Sequence, residues 1–268
     1  CIPGSNWQEG EEVMQAAILG LNDIWTLTKR NLMRFKRTPQ VVVFSSIQPI
    51  MFLTLFNYVF GGAIGVATSG PYINFLLPGI IAQSALFGTL QTPIALIEDL
   101  DRGSIDRFRS LPILRSAVLA ARTSSDNMRT IFVLLLLFGV GILMGFDATA
   151  PALHVVAALA LMAFFSYAFS WMMAALGLFI RNGEAMQTAG FLFVFPLTFA
   201  SSVFVPVASM PEWLQVFARN QPVTQIVNAT RSLMFGGALT SVWITLTWAI
   251  GILLVSVPLA IWKFRRTV

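Results

Sequence analysis

The sixty residues between Arg37 and Glu98 carry no charged side chain. A transmembrane helix needs about 20 mostly apolar residues to cross ~30 Å of hydrocarbon. A Lys, Arg or Asp at its centre costs roughly 2.5–3.5 kcal/mol. A run of this length is therefore typical of two membrane spans joined by a turn, and the glycines and proline from Gly61 to Pro71 mark that turn.

The composition of the whole chain agrees with a membrane protein. Of its 268 residues 56% are apolar and 11% are charged, and the mean hydropathy is +0.76. A soluble domain carries about 25% charged residues. This composition therefore excludes three classes of protein: an ordinary soluble enzyme, a disordered chain and a nucleic-acid binder with a basic surface stripe. The single cysteine excludes a disulfide framework and a cysteine zinc cluster.

The remaining uncharged runs predict an all-α polytopic membrane protein with six transmembrane helices. Residues 1–37 form a cytoplasmic N-terminal arm, and residues 38–268 form the six-span domain. The predicted spans cover about residues 40–60, 72–97, 130–146, 152–180, 185–205 and 240–262. Residues 206–239 contain three prolines and amphipathic stretches, which favour short interfacial or re-entrant helices on the outer side.

The distribution of basic residues predicts the orientation. Fifteen of the seventeen lie before the first span, between spans two and three, between spans four and five, or after the last span. Only Arg219 and Arg231 fall on the other side. Because Lys and Arg accumulate in cytoplasmic loops, both termini are expected in the cytoplasm. The pI near 10 then needs no polyanionic partner.

Two segments outside the spans are candidates for mechanism. Residues 16–37 place Ile18, Leu21 and Trp25 at helical spacing, with bases on other faces. This pattern indicates an interfacial amphipathic helix, either a topology anchor or a force-transmitting element. Residues 98–129 form a loop of thirty-two residues, rich in both charges, with a short helix between Gly103 and Pro112. It is either a docking peg for a soluble partner or a solvated hairpin.

Two long motifs carry a family resemblance: LDRGSIDRFRSLPILRSAVLAAR and FPLTFASSVFVPVASMPEWLQVFARNQPVTQIVNATRSLMFGG. They resemble ABC-2 type exporter permeases (the type V exporter-like fold), and most nearly the daunorubicin/doxorubicin-resistance branch. The resemblance implies two permease subunits, identical or paralogous, assembled with two ABC ATPase subunits that hold ATP and Mg. It implies short outer re-entrant helices over residues 210–237.

The same resemblance implies a cytoplasmic coupling helix that meets the ATPase. Its predicted residues are Glu98, Asp99, Arg102, Gly103, Ile105, Asp106, Arg107, Phe108, Arg109 and Pro112.

The sequence contains no P-loop motif for binding and hydrolysing ATP. A P-loop requires a Gly-Lys pair, and none occurs in the sequence. We therefore expect no catalytic residue, no cofactor and no metal on this chain, with energy supplied by the ATPase subunit. His154, the single histidine, lies near an outer span end and is expected to be structural.

Uncharged polar and aromatic residues within the spans are candidates for a substrate path. They are Gln48, Asn57, Gln83, Phe195, Thr198 and Ser201. Two interpretations are open for each, because such side chains also bond or pack between helices.

The predicted function is export of a hydrophobic or amphipathic compound, a drug or a lipid-like product, across the bacterial cytoplasmic membrane. Alternatives are a polysaccharide or glycolipid exporter, an ion-coupled secondary carrier, and a membrane assembly subunit without transport. The ion-coupled carrier requires charged residues within the spans, which the predicted spans lack.

The orientation predicts which loops react with reagents outside the cell. In a Cys1→Ser background, a Ser69→Cys variant should react with an impermeant maleimide in intact cells, and a Ser104→Cys variant should react after the membrane is opened. The opposite labelling pattern would reverse the predicted topology.

Overall fold

The computed structural model describes residues 39–65, 71–101 and 115–267. In this part of the chain the regular elements are α-helices and one 3-10 helix, with no β-strand, which agrees with the all-α prediction. The helices are α1 (Pro39–Gly65), α2 (Tyr72–Gly88), α3 (Gln91–Asp101), α4 (Arg115–Leu143), α5 (Ala152–Ile180), α6 (Gly183–Phe199), α7 (Glu212–Asn220), α8 (Pro222–Phe235) and α9 (Thr240–Thr267).

Four stretches of the described chain are long and apolar enough to cross a membrane. They are Tyr72–Asp101 (α2 with α3), Ala117–Leu143, Ala152–Ile180 and Thr240–Arg266. They overlap the predicted second, third, fourth and sixth spans and fit a multi-pass membrane protein. The number of crossings stays a prediction. Helices α1 and α6 stand at the predicted first and fifth spans, whose crossing stays a prediction. Helix α6 has 17 residues and is about 25 Å long.

Helix α4 begins well before residue 130, where the charge map places the third span. It starts at Arg115 and continues through Asp126 and Arg129 to Leu143. Arg122 and Asp126, one turn apart, form an ion pair at 3.3 Å. This pairing lets charged residues lie within one continuous helix.

The two ends of the helical body are defined by contacts between loops and helix ends. At one end, called the Asp147 end, the backbone N–H of Asp147 donates to the Asn74 side-chain oxygen at 3.1 Å. At the opposite end, called the Lys263 end, Leu96 on α3, Trp171 on α5 and Phe264 on α9 pack in one buried cluster.

Helix α5 lies at the centre and packs against α3, α4, α8 and α9. Phe165 and Phe169 are fully buried on it. Helices approach closely where glycines leave room. A Cβ added at Gly177 of α5 would lie 2.5 Å from the Pro93 Cβ on α3, and one added at Gly79 of α2 would meet the Val203 backbone directly.

Short helices fill the segment between α6 and α9. Pro222 occupies the first turn of α8, where its missing N–H costs nothing. Gly236 ends α8 with φ +76°, a left-handed conformation that glycine adopts easily. The structure therefore contains short helices where the proline-rich pattern predicts them, and their position on the outer surface stays a prediction.

Arg231 ties α8 to α2 and to the turn after α6. Its Nη2 donates to the carbonyl oxygens of Phe75 at 2.8 Å and Ser202 at 2.7 Å, and the guanidinium lies 3.6 Å from the Phe75 ring centroid. The Tyr72 hydroxyl donates to the Phe204 carbonyl at 2.9 Å. Burial lowers the pKa of Arg231 to about 9, which leaves it charged at neutral pH.

Removing this arginine should loosen the Asp147 end. Arg231→Met is expected to lower the free energy of unfolding by about 1–3 kcal/mol, because the buried carbonyls lose their donor. The matched control is Arg219→Met, because Arg219 is exposed and donates to Gln215 alone in the described chain. Its expected change is within about 0.5 kcal/mol. Thermal unfolding in detergent, followed by tryptophan fluorescence, measures the stability of both variants. Equal melting temperatures for Arg231→Met and Arg219→Met would contradict the stabilising role of Arg231.

Candidate functional site

A polar cavity of about 170 Å³ lies between α1, α2 and α4. Helix α1 contributes Gln48 to its wall, α2 contributes Gln83, α3 contributes Gln91 and α4 contributes Arg129. Phe52 and Phe87 also line it. Polar groups from four helices thus meet one space inside an otherwise apolar body, and we call this space the polar cavity.

Arg129 is the charged group of the polar cavity. It is 8% exposed, and its Nη2 donates to the Gly88 carbonyl at 3.1 Å. That carbonyl lies at the C-terminal end of α2, where helix carbonyls lack intrahelical donors. The Arg129 Nε has no hydrogen-bond partner in the described chain. The guanidinium therefore keeps unused donor capacity beside the cavity.

A second arginine on α4 differs from Arg129 in forming ion pairs. Arg122 lies 3.3 Å from the Asp126 carboxylate and 3.6 Å from that of Asp99. Among the described residues, no carboxylate forms an ion pair with Arg129. Sequence reasoning assigns all these charges to the cytoplasmic loop. The four-residue spacing of Arg122 and Asp126 is the signal that places them on one helix.

A row of phenylalanine rings in contact with one another lies next to the polar cavity, and we call it the aromatic ladder. In spatial order its members are Phe87, Phe191, Phe195, Phe199, Phe204 and Phe56. Successive ring centroids lie 4.2–5.9 Å apart. Three of the rings recur every four residues on α6, which places them on one helix face.

The ladder and the cavity meet at both ends of the row. Phe87 lines the cavity and contacts Phe191 edge-on at 5.9 Å. Phe52 also lines the cavity, and its ring centroid lies 5.8 Å from that of Phe56. A polar space and a long apolar surface therefore form one continuous site.

The α6 part of the ladder is open on one side. Phe191 is 50% exposed, Phe195 39% and Phe199 40%. In a membrane protein such rings face lipid, another subunit or a passing apolar molecule. They offer a broad contact surface at low cost in side-chain entropy.

The structure brings together some of the predicted path residues. Gln48 and Gln83 line the polar cavity, and Phe195 belongs to the ladder. Thr198 and Ser201 are fully buried. Their hydroxyls donate to backbone carbonyls four and three residues earlier, at 2.8 and 2.5 Å, so these protons are already used within the protein.

Asn57 lies beside Phe56 on α1, half-buried, and does not line the polar cavity. For all six predicted path residues, contact with a substrate stays a prediction.

The predicted coupling residues are only partly described. Glu98 and Asp99 lie in the last turn of α3, and Asp99 pairs with Arg122. The others, from Arg102 to Pro112, lie outside the described residues, as does the amphipathic segment 16–37. Their contact with an ATPase stays a prediction.

A larger groove of about 670 Å³ lies between α5 and α9. Its wall is almost wholly apolar and includes Phe179, Trp248 and Leu259. It lacks charged residues, so it gives no contact that would select one ligand over another. The polar cavity with the aromatic ladder is the better candidate site.

Comparisons with known proteins agree with this architecture. The pattern of the family described as ABC-2 type transporter matches residues 22–235. The chain is 33% identical to the daunorubicin resistance ABC transporter permease protein of Streptomyces coeruleorubidus, with 92% of this chain and 86% of the relative covered. It is 27% identical to a "Probable doxorubicin resistance ABC transporter permease protein" of Mycobacterium tuberculosis, with 89% and 87% covered.

The family pattern covers most of the chain, and the first relative exceeds 30% identity over nearly its full length. Apolar helices of membrane-crossing length supply the matching architecture. The chain therefore belongs to the ABC-2 type transporter family of membrane permeases.

Proposed function

We propose that this chain is the permease subunit of an ATP-driven exporter in the bacterial cytoplasmic membrane. Its cargo is a hydrophobic or amphipathic compound, a drug or a lipid-like product, taken from the cytoplasm or the inner leaflet. The observation that carries this proposal is the exposed aromatic ladder continuous with the polar cavity. The names of the relatives, permeases of drug resistance, support it.

Energy comes from a separate ATPase subunit. The basic residues at the Lys263 end favour the cytoplasm for that end, because Lys and Arg accumulate on the cytoplasmic side. The coupling segment, residues 98–112, begins in the last turn of α3 at this end, and its contact with the ATPase is part of this proposal. Movement of this segment would be transmitted through α3 and α4, which the ion pair between Asp99 and Arg122 connects.

A second permease, identical or paralogous, completes the path. The exposed rings on α6 present an apolar surface that one protomer leaves open. With a second six-span subunit facing it, this surface becomes one wall of a path between protomers. The short helices after α6 then lie at the outer exit, and both termini are cytoplasmic.

The ladder suits transport because each of its contacts is weak. An aromatic pair contributes about 0.5–1.5 kcal/mol beyond its buried area. A molecule moving past successive rings 4.2–5.2 Å apart on α6 exchanges one contact for an equivalent one. No single position then holds it tightly enough to stop its passage.

A polysaccharide or glycolipid exporter is the second candidate, because sugar rings also stack on aromatic side chains. Sugars need hydrogen-bonding groups next to the rings. The residues between Phe191 and Phe195 on α6 are Leu192, Phe193 and Val194, which offer no polar side chain. This surface favours an apolar cargo.

Transport in inside-out vesicles tests the proposal. Vesicles containing the permease and its co-purifying ATPase should take up a dansyl-labelled fatty acid or its neutral methyl ester with ATP, and should lose uptake when the P-loop lysine of the ATPase is replaced by alanine. Uptake that persists with the inactive ATPase would exclude an ATP-driven exporter. ATP-independent uptake driven by a pH gradient would favour an ion-coupled carrier.

The same vesicles test the ladder. Phe195→Ala should lower the uptake rate roughly three- to tenfold, because one ring contact is worth about 1 kcal/mol and 1.4 kcal/mol corresponds to tenfold. Leu192→Ala is the matched control, since Leu192 lies on the same helix, is 73% exposed and is outside the ladder. An equal loss in both variants would show that the ladder has no special role.

A further inference from the structure

We propose that the polar cavity is a head-group site for an anionic amphiphile. Arg129 and Gln83 bind its carboxylate or phosphate, and its apolar part lies along the aromatic ladder. This inference deepens the proposed function, on which it rests, by naming the chemical class of the cargo.

The first argument is the unused donor capacity of Arg129. A guanidinium has five N–H donors, and the described chain gives Arg129 one acceptor, the Gly88 carbonyl. Its Nε is buried without a partner. The Nη groups carry the remaining donors, and a planar oxyanion can accept two parallel hydrogen bonds from a guanidinium. An anion in the cavity would therefore supply acceptors that the described chain does not give Arg129.

The second argument is which of the cavity's polar groups are free. The hydroxyls of Thr130 and Ser84 donate to carbonyls of their own helices, at 3.1 and 2.7 Å. Gln48, Gln83 and Gln91 have no side-chain hydrogen-bond partner among the described residues. Gln83 is 7% exposed. The available side-chain donors are therefore the Arg129 guanidinium and the three amides, which together suit an anionic or oxygen-rich group.

The third argument is size. The cavity measures about 170 Å³, whereas pockets for drug-sized ligands measure about 300–1,000 Å³. The cavity holds a head group and not a whole ligand. Because Phe52 and Phe87 line the cavity, the apolar tail of such a ligand contacts the aromatic ladder where the tail leaves the cavity.

The fourth argument is depth. Arg129 precedes Leu143, the end of α4, by fourteen residues, or about 21 Å of helix. With Leu143 at the outer boundary of a ~30 Å hydrocarbon layer, Arg129 lies inside that layer, where an anion without a partner is strongly disfavoured. A buried cation makes the position tolerable for an anion and repels a cationic head group.

Arg129 has one competing role, which is to balance the surplus carboxylate of the Arg122, Asp99 and Asp126 group on the same side of the protein. In that case it would stabilise the fold without selecting a ligand. A binding measurement that compares charged and neutral forms of one probe separates the two roles.

The probe is 11-(dansylamino)undecanoic acid, with its methyl ester as the neutral form. The permease–ATPase complex is placed in phosphatidylcholine nanodiscs without nucleotide, and binding is followed by dansyl fluorescence. We expect the acid to bind at least tenfold more tightly than the ester. Arg129→Gln should abolish this preference, and Arg129→Lys should retain part of it. Gln83→Leu should lower the affinity for the acid several-fold.

Arg219→Gln is the control for loss of one positive charge, because Arg219 is exposed and remote from the cavity. It should keep the full preference for the acid. Equal binding of acid and ester by the unmodified complex would overturn the proposal, as would an unchanged preference in Arg129→Gln. If Arg129→Gln does not assemble, the proposal is tested by the ratio of acid to ester affinity in the unmodified complex and in the Gln83→Leu variant.

Nanodiscs containing phosphatidylglycerol distinguish a lipid head group from a free amphiphile. Competition by this anionic lipid, lost in Arg129→Gln, would identify a membrane phosphate as an occupant. Unaltered binding of the acid would identify a free anionic amphiphile. Because binding is measured without ATP, ATP-driven uptake without charge preference would reject only the head-group site, and charge-selective binding without uptake would reject only the exporter.

Discussion

The pairing of charges inside an apolar body organises this structure. Arg122 is held by two carboxylates, which lets α4 remain helical from Arg115 into its apolar half. Arg231 is held by backbone carbonyls and by the Phe75 ring, which fastens the short helix α8 to α2. Where water is absent, an unpaired charge is costly, so each arginine determines which segments lie together.

Arg129 departs from this pattern because it lines the polar cavity and, in the described chain, donates to one backbone carbonyl only. The aromatic ladder starts at the same cavity. The combination of a polar recess and a row of exposed rings resembles the two halves of an amphiphile. It connects the proposed export function with a chemical preference for the cargo.

Much of the fold was predictable from local patterns. Uncharged runs indicated the helices now seen as α2 with α3, α5 and α9, because charge in hydrocarbon is disfavoured wherever it occurs along the chain. The start of α4 was not predictable in this way, since Arg122 and Asp126 are neutralised by contacts that hydropathy ignores. Of the candidate path residues, Gln83 lines the cavity and Phe195 belongs to the ladder. The hydroxyls of Thr198 and Ser201 instead donate to backbone carbonyls close to them in the chain.

The sequence by itself determined that this chain is a helical membrane protein and lacks a P-loop. These properties follow from hydrophobicity, charge spacing and short motifs. Only the tertiary structure decided that Phe87, Phe199 and Phe56 belong to one row and that Gln48, Gln83 and Arg129 share one cavity. These residues come from helices far apart in the chain, and the rotation and depth at which helices pack depend on side-chain contacts that no single segment encodes.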